Sequence, residues 1–291
     1  MLDDPSSKTQ LRHPKRQSPT SLRAFDPCQR SYAYEYLERP EVEEQTGPTK
    51  FLGDAVHAAL AELFRLEPCK RDVETAHDLL RHFWARHSGR DQAFLDERDE
   101  RNYGNQGLDM LSTFCRLRAE ELSIRPHAVE DWVRAPLDFG HEVHGKLDRA
   151  DLIQVPDFEA DAPPPGEPRP VVEGLRVTDY KTGACRLDED ELPDERGAQI
   201  YALAASRFYG IRVLEVRFLW LPENVARVWR PEREDLRAIE DLLATKIDCI
   251  EAEQEWPTRL SGFCNFCAYK RLCPAQKIDL DELRANPSTI F

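Results

Sequence analysis

The chain has 291 residues, 41% of them hydrophobic, which is enough for one large domain or two small ones with an ample core. No apolar run approaches the ~18 residues that cross a bilayer, and the basic N-terminus MLDDPSSKTQLRHPKRQ has no apolar stretch behind it. A membrane anchor and a secretory signal are therefore not expected, and a cytoplasmic location is. With 40 Lys and Arg against 54 Asp and Glu, the net charge of −14 speaks against a protein that coats nucleic acid, although a small basic groove remains possible.

Residues 1–17 read as a disordered basic tail, and residues 18–291 as a single domain. A helix begins after Ser18 or Thr20, with Pro19 as a start signal, and Pro27 breaks or restarts it before Cys28. FLGDAVHAALAELFRL is a second helix: Leu52, Val56, Ala59, Leu60 and Leu63 fall at helical spacing, with His57 beside the stripe. Further helices are expected at about 72–88 and 105–123, making the region to residue 125 helical.

The pattern then changes. VEDWVRAPLDFG, HEVHGKLDRADLIQV and VVEGLRVTDYKTG alternate and are rich in Val, Leu and Ile, as strands are. An acidic, proline-rich stretch at about 156–171 reads as a flexible hairpin insertion. ERGAQIYALAASRFYG is a helix ended by Gly210, IRVLEVRFLWLPE a strand, and the segment after Pro231 a long helix. A strand-rich core would span 126–255, with a cysteine-bearing tail at 256–291.

Three cysteines close the folded chain as C-x2-C-x5-C, at Cys264, Cys267 and Cys273. In a reducing compartment such spacing points to thiolate ligands, for structural zinc or for a cluster. Cys69, Cys115, Cys185 and Cys249 stand singly and read as inert, with Cys115 and Cys249 buried on helices. Two other stretches carry charge on strands: GKLDRAD, where Asp148 ends an apolar run, and TDYKTG, where Asp179 ends another. Lys181, two residues past Asp179, projects from the same face. Carboxylates on adjacent strands suit Mg2+ or Mn2+. A lysine beside them suits a phosphoryl transition state. A salt-bridged surface strand would carry the same DYK triplet.

Taken together and in order, from about Ser18 to Pro274, these pieces resemble the RecB-family branch of the PD-(D/E)XK nucleases. That branch includes the nuclease domains of recombination helicase-nucleases and CRISPR-associated nucleases that trim spacer precursors. GDAVHAAL resembles the family's G-x-x-x-H helix, GKLDRAD its G-x-x-D-R motif, TDYKTG its D-x-K motif, and QIYALAA its Gln/Tyr helix. The resemblance implies an α/β, restriction-endonuclease-like mixed sheet flanked by helices, with an N-terminal helical region. It implies His57, Asp148, Asp179 and the Tyr180 carbonyl as Mg2+ or Mn2+ ligands, and Lys181 as the catalytic lysine. Gln199 and Tyr201 would contact DNA or brace the site, although many relatives carry glutamine four residues before the tyrosine, where this chain has Gly197. Cys28 would join Cys264, Cys267 and Cys273 around a [4Fe-4S] cluster that staples the first helix to the chain's end.

The expected activity is metal-dependent DNA hydrolysis on single strands or ends, as an exonuclease in repair, recombination or defence. The chain has no G-x-x-x-x-G-K-[ST] phosphate loop, so a helicase or integrase would be a separate partner. The competing expectations are a weakly active or non-catalytic DNA- or partner-binding subunit and a zinc-bound structural protein.

Overall fold

The computed structural model describes residues 14, 16–42, 47–157, 159–161, 163–164 and 166–277. Contacts group them into two compact units: Gln45–Leu242, and the described residues of Met1–Glu44 with Leu243–Phe291.

The larger unit holds a five-stranded sheet in the order β1 to β5: β1 (Ala128–Pro136), β2 (Glu142–Pro156), β3 (Val171–Lys181), β4 (Val213–Trp220) and β5 (Val225–Trp229). Neighbours run antiparallel except β3 and β4, which are parallel and joined through helix α7 (Arg196–Tyr209). All of β4 is buried, as a central parallel strand requires. Gly210, at a left-handed φ of 65°, ends α7 where the sequence places the stop. The mixed α/β sheet flanked by helices is the expected one. β5 is the strand that sequence reasoning missed, because VARVW is short and only half-buried.

Numbering the helices in chain order, α1 (Pro19–Phe25) and α2 (Gln29–Ala33) belong to the smaller unit. The larger one contains α3 (Pro48–Arg65), α4 (Val73–Arg86), the short α5 (Arg90–Ala93) and α6 (Glu97–Leu117). α6 begins before the expected residue 105, because Asp96 caps it, its side chain accepting from Asp99 N at 2.8 Å. α3, α4 and α6 meet in one core built on Leu52, Val56, Leu60, Leu80, Leu111 and Phe114, which also receives Tyr180 of β3 and Leu219 of β4. The last helix, α8 (Arg233–Ala252), spans the boundary between the units. Cys115 is buried as expected, and burial pushes its thiol up to about 11. Cys249 is exposed instead, on the outward side of α8.

Residues 1–13 and 15 of the expected tail lie outside the described set. Gln17 is buried, its Oε1 accepting from Ser21 Oγ at 2.7 Å. In the acidic insertion, Asp157 N donates to the Pro170 carbonyl at 2.7 Å, and Glu159 pairs with Arg212 and Arg233.

Arg149 of β2 is wholly buried. Its guanidinium donates to Asp151 Oδ2 (3.0 and 2.7 Å), to Glu121 Oε2 (2.6 Å) and to the Tyr180 hydroxyl (2.9 Å). Glu121 also takes Arg217 of β4 on both oxygens, at 2.9 and 2.8 Å. Three strands and the 3-10 turn Ala119–Ser123 are thus joined by one charged network. Such a network stabilises little against an apolar replacement, but losing one member strands the others.

Burial disfavours a charge on Glu121, yet Arg217 and Arg149 hold it down to about 2. Its folded pKa lies below the usual carboxylate value of about 4.3. Its contribution is therefore complete above that value and is lost as pH falls towards 2. Glu121→Gln should cost about 3–5 kcal/mol at neutral pH. Urea titrations across pH should show the variant losing less stability than the parent between roughly pH 4.3 and 2.

Candidate functional site

α3 starts with Pro48 at its first turn and buries Leu52, Val56, Ala59, Leu60 and Leu63 along one face. His57 flanks that face and turns to the sheet, where its Nδ1 lies 3.1 Å from Asp148 Oδ1. Asp148 Oδ2 accepts from the backbone N–H of Tyr180 at 2.6 Å. Both carboxylate oxygens are thus engaged, one from the helix and one from the neighbouring strand.

Glu130 of β1 completes this group. Ligand atoms of His57, Glu130 and Asp148 lie within 4.8 Å of one another. The register explains how. β1 and β2 pair Val129 with Arg149 and Asp131 with Leu147, which leaves Glu130 facing Asp148. Glu130 has φ 53°, a left-handed conformation that a non-glycine residue adopts at a cost of order 1–3 kcal/mol. Strand alternation breaks there. Val129 packs on the α3 core and Arg149 lies over Phe64 of α3, yet Glu130 and Asp148, the next residues along, also face His57. Beyond the break, Asp131 turns to the other side and accepts from the Tyr209 hydroxyl of α7 at 2.7 Å.

Asp179 and Lys181 share a face of β3 and form an ion pair. The Tyr201 hydroxyl of α7 donates to Asp179 Oδ1 at 3.3 Å. Tyr201 reaches this position because residue 145 is glycine: a Cβ there would stand 2.9 Å from its ring. The Lys181 ammonium sits 4.5 Å over the ring of Phe218. Gln199 goes elsewhere. It donates to the Pro193 carbonyl at 2.8 Å and accepts from Arg196 at 2.7 Å, fixing the turn before α7. Residue 197, where the resemblance leads one to expect glutamine, is a buried glycine.

The site is electrostatically loaded. Burial opposes a charge on His57, but Asp148, the hydrogen bond to it, Asp179 and Glu130 outweigh that and push the imidazole up to about 9. Burial first, then repulsion from Asp179, raises Asp148 against the pull of His57 and the Tyr180 N–H. Carboxylates crowded in this way are relieved by a hard divalent cation, and one imidazole with two carboxylates is a donor set that Mg2+ or Mn2+ accepts. The group opens into a cleft of about 680 Å3, whose lining includes Thr49, Lys50, Arg65, Lys146 and Thr182.

Sequence reasoning missed two residues here. Glu130 has no motif of its own, and its position depends on a break in alternation. Arg149, beside Asp148, acts through burial, although the G-x-x-D-R motif contains it.

In the smaller unit, Cys28 is the N-cap residue of α2, Cys264 lies on a short 3-10 turn, and Cys267 and Cys273 each directly follow one. All four line one cavity of about 440 Å3. Among the described residues no three cysteine sulfurs come within 4.8 Å of one another. The walls are held by protein contacts: Tyr32 stacks on Trp256 at 5.8 Å, Tyr34 donates to the Leu272 carbonyl at 2.9 Å, and Arg30 N donates to the Pro257 carbonyl at 3.2 Å.

A family model described as the PD-(D/E)XK nuclease superfamily matches residues 16–162 and 167–274. The gap in the match falls in the acidic proline-rich connection. No curated protein matches the chain. A solved structure titled "Crystal structure of SSO0001" is 13% identical and covers 61% of this chain and 79% of that one, with a TM-score of 0.30, a likeness that carries no argument.

Glu130→Gly should weaken Mn2+ binding roughly tenfold or more, read by electron paramagnetic resonance of free Mn2+. It should change stability by only about 1 kcal/mol, because glycine accepts the left-handed backbone. An unchanged Mn2+ affinity would remove Glu130 from the cation group.

Proposed function

Because the chain belongs to the PD-(D/E)XK nuclease superfamily, we propose that it is a Mg2+- or Mn2+-dependent DNA nuclease of the RecB branch, cutting single strands or ends as an exonuclease. Its five-stranded mixed sheet with flanking helices is restriction-endonuclease-like. The observation that carries the reading is the convergence of His57, Glu130 and Asp148 beside the Asp179–Lys181 pair.

His57, Glu130 and Asp148 would hold the cation, joined by Asp179 and the Tyr180 carbonyl as the resemblance implies. When bound, the ion supplies a Lewis acid for the phosphate and lowers the pKa of a water. Lys181 orients the attacking water and offsets the charge that grows on the phosphoryl oxygens. The water oxygen bonds to phosphorus and gives up a proton, the P–O bond to the leaving strand breaks, and the departing oxygen takes up a proton in turn. Tyr201 keeps Asp179 aimed through its hydroxyl. Gln199 supports the turn that starts α7.

Cys28, Cys264, Cys267 and Cys273 would hold a [4Fe-4S] cluster as a structural staple. What supports this is that one cavity of the smaller unit collects all four. No helix among the described residues is long and apolar enough to cross a membrane. A cytoplasmic enzyme working beside a separate helicase or integrase, in repair, recombination or defence, is the setting that fits.

Digestion of 5′- and 3′-labelled single and double strands with Mn2+ tests the activity. Lys181→Ala and Asp179→Ala should each lower the rate at least a hundredfold. Purified, metal-replete protein that cuts no DNA would end the nuclease reading. Cys273→Ser should bleach absorption near 400 nm and reduce solubility, whereas Asp179→Ala should leave both intact. Equal damage from the two changes would undo the division between staple and active site.

A further inference from the structure

Trp132 is 58% exposed in the middle of β1, although the next residue, Val133, and Ala135 are buried. The register sets Trp132 opposite Lys146, and Arg134 opposite His144 one step further from the cation group. These four share a side of the β1–β2 ladder. Gly145 abuts Tyr201, and Asp131 bonds Tyr209, so α7 covers the other side. Lys146 lines the same cleft as His57, Glu130 and Asp148 and pairs with Glu130. The Trp132 and His144 rings lie 5.6 Å apart, tilted by 31°. A stripe therefore leaves the cleft in two rungs, ammonium beside indole and then imidazole beside guanidinium, and it ends where Pro136 faces Glu142.

The exposed indole stands on the uncovered face against His144, with Lys146 directly opposite and Arg134 two residues along, and this cross-strand contact leaves more than half of it open to solvent. Its chemistry matches an extended polyanion with flat, unpaired bases. Positions two apart on a strand are separated by about 6.7 Å, a step comparable with that between phosphates of an extended polynucleotide. A duplex hides its base faces in its own stack and offers the indole nothing.

We propose that this stripe selects single-stranded DNA and guides it to the cation group. One base stacks on Trp132 while the phosphates flanking it meet Lys146 and Arg134. Trp132 is thus a specificity residue of the nuclease read above, on which the proposal rests. The surface continues the cleft, from Lys146, paired with Glu130, to Arg134, with Glu142 on the rung beyond.

The test is fluorescence anisotropy of the full chain with a labelled thymidine oligonucleotide and with a blunt hairpin duplex, in EDTA to prevent cutting. Trp132→Ala should weaken single-strand binding about tenfold, with Trp132→Phe recovering most of it, because base–aromatic stacking gives roughly 5- to 150-fold. Duplex binding, the far-ultraviolet circular dichroism and Mn2+ affinity should not change. Arg134→Ala should reduce the slope of log Kd against log salt by about 0.7, one single-strand phosphate contact. A Trp132→Ala protein that binds single strands as tightly as the parent overturns the proposal, and so does equal loss on strand and hairpin. If the parent cuts DNA while Trp132→Ala is indistinguishable from it, only the stripe is refuted. If the parent neither binds nor cuts any DNA, the nuclease reading falls with it.

Discussion

The arrangement rests on a positive charge that has nowhere to go. Arg149 is sealed in the larger unit, where its guanidinium is satisfied only if Asp151, Glu121 and the Tyr180 hydroxyl stay in place. Each partner belongs to a different segment or strand position, so the charge fixes β2 against β3 and, through Glu121 and Arg217, against β4. Asp148 precedes Arg149, and Asp179 precedes Tyr180. Two acids that repel each other are thus kept as neighbours by a network that shares none of their atoms. Burying ions is expensive, and the gain here is positional rather than energetic.

The same fixed frame explains which residues could be read from the chain and which could not. Asp179 and Lys181 were legible because they close a strand with a recognisable local pattern; Asp148, expected to end an apolar run, lies in the middle of β2, but strand periodicity still decided where its side chain points. His57 was legible as a position beside an apolar helical stripe. Glu130 was not, because VEDW gives no sign that one residue adopts φ 53° and reverses the alternation. Gln199 shows the opposite failure. Its residue type suited the site, but half a helical turn directs it to the Pro193 carbonyl. Among the elements, β5 escaped because five half-buried residues carry no pattern, and α6 was shortened because its first turns, ERDERNYG, are polar and held by the Asp96 cap.

The smaller unit follows another logic. Its core is aromatic: Phe25, Tyr32 and Trp256 meet edge-on or stacked, and Tyr34 packs against Tyr269 at 5.3 Å. Rings with polar tips can hold irregular turns in place where no sheet or long helix exists. The four cysteines lie on or beside such turns, whose positions are set by ring packing and by hydrogen bonds to carbonyls. An exposed Phe263 and Phe266 beside them leave part of that packing uncovered.

Gly145 shows how little room the design leaves. The ring of Tyr201 rests directly on its backbone, and the hydroxyl at the far end of that ring steers an oxygen of Asp179. A single methyl group at position 145 would carry no charge and touch no ligand. It would nevertheless act as a wedge, prying the phenol off its acid, so a purely steric lesion would be felt as an electrostatic one. In this molecule the smallest side chain and the strongest charges answer to the same geometry.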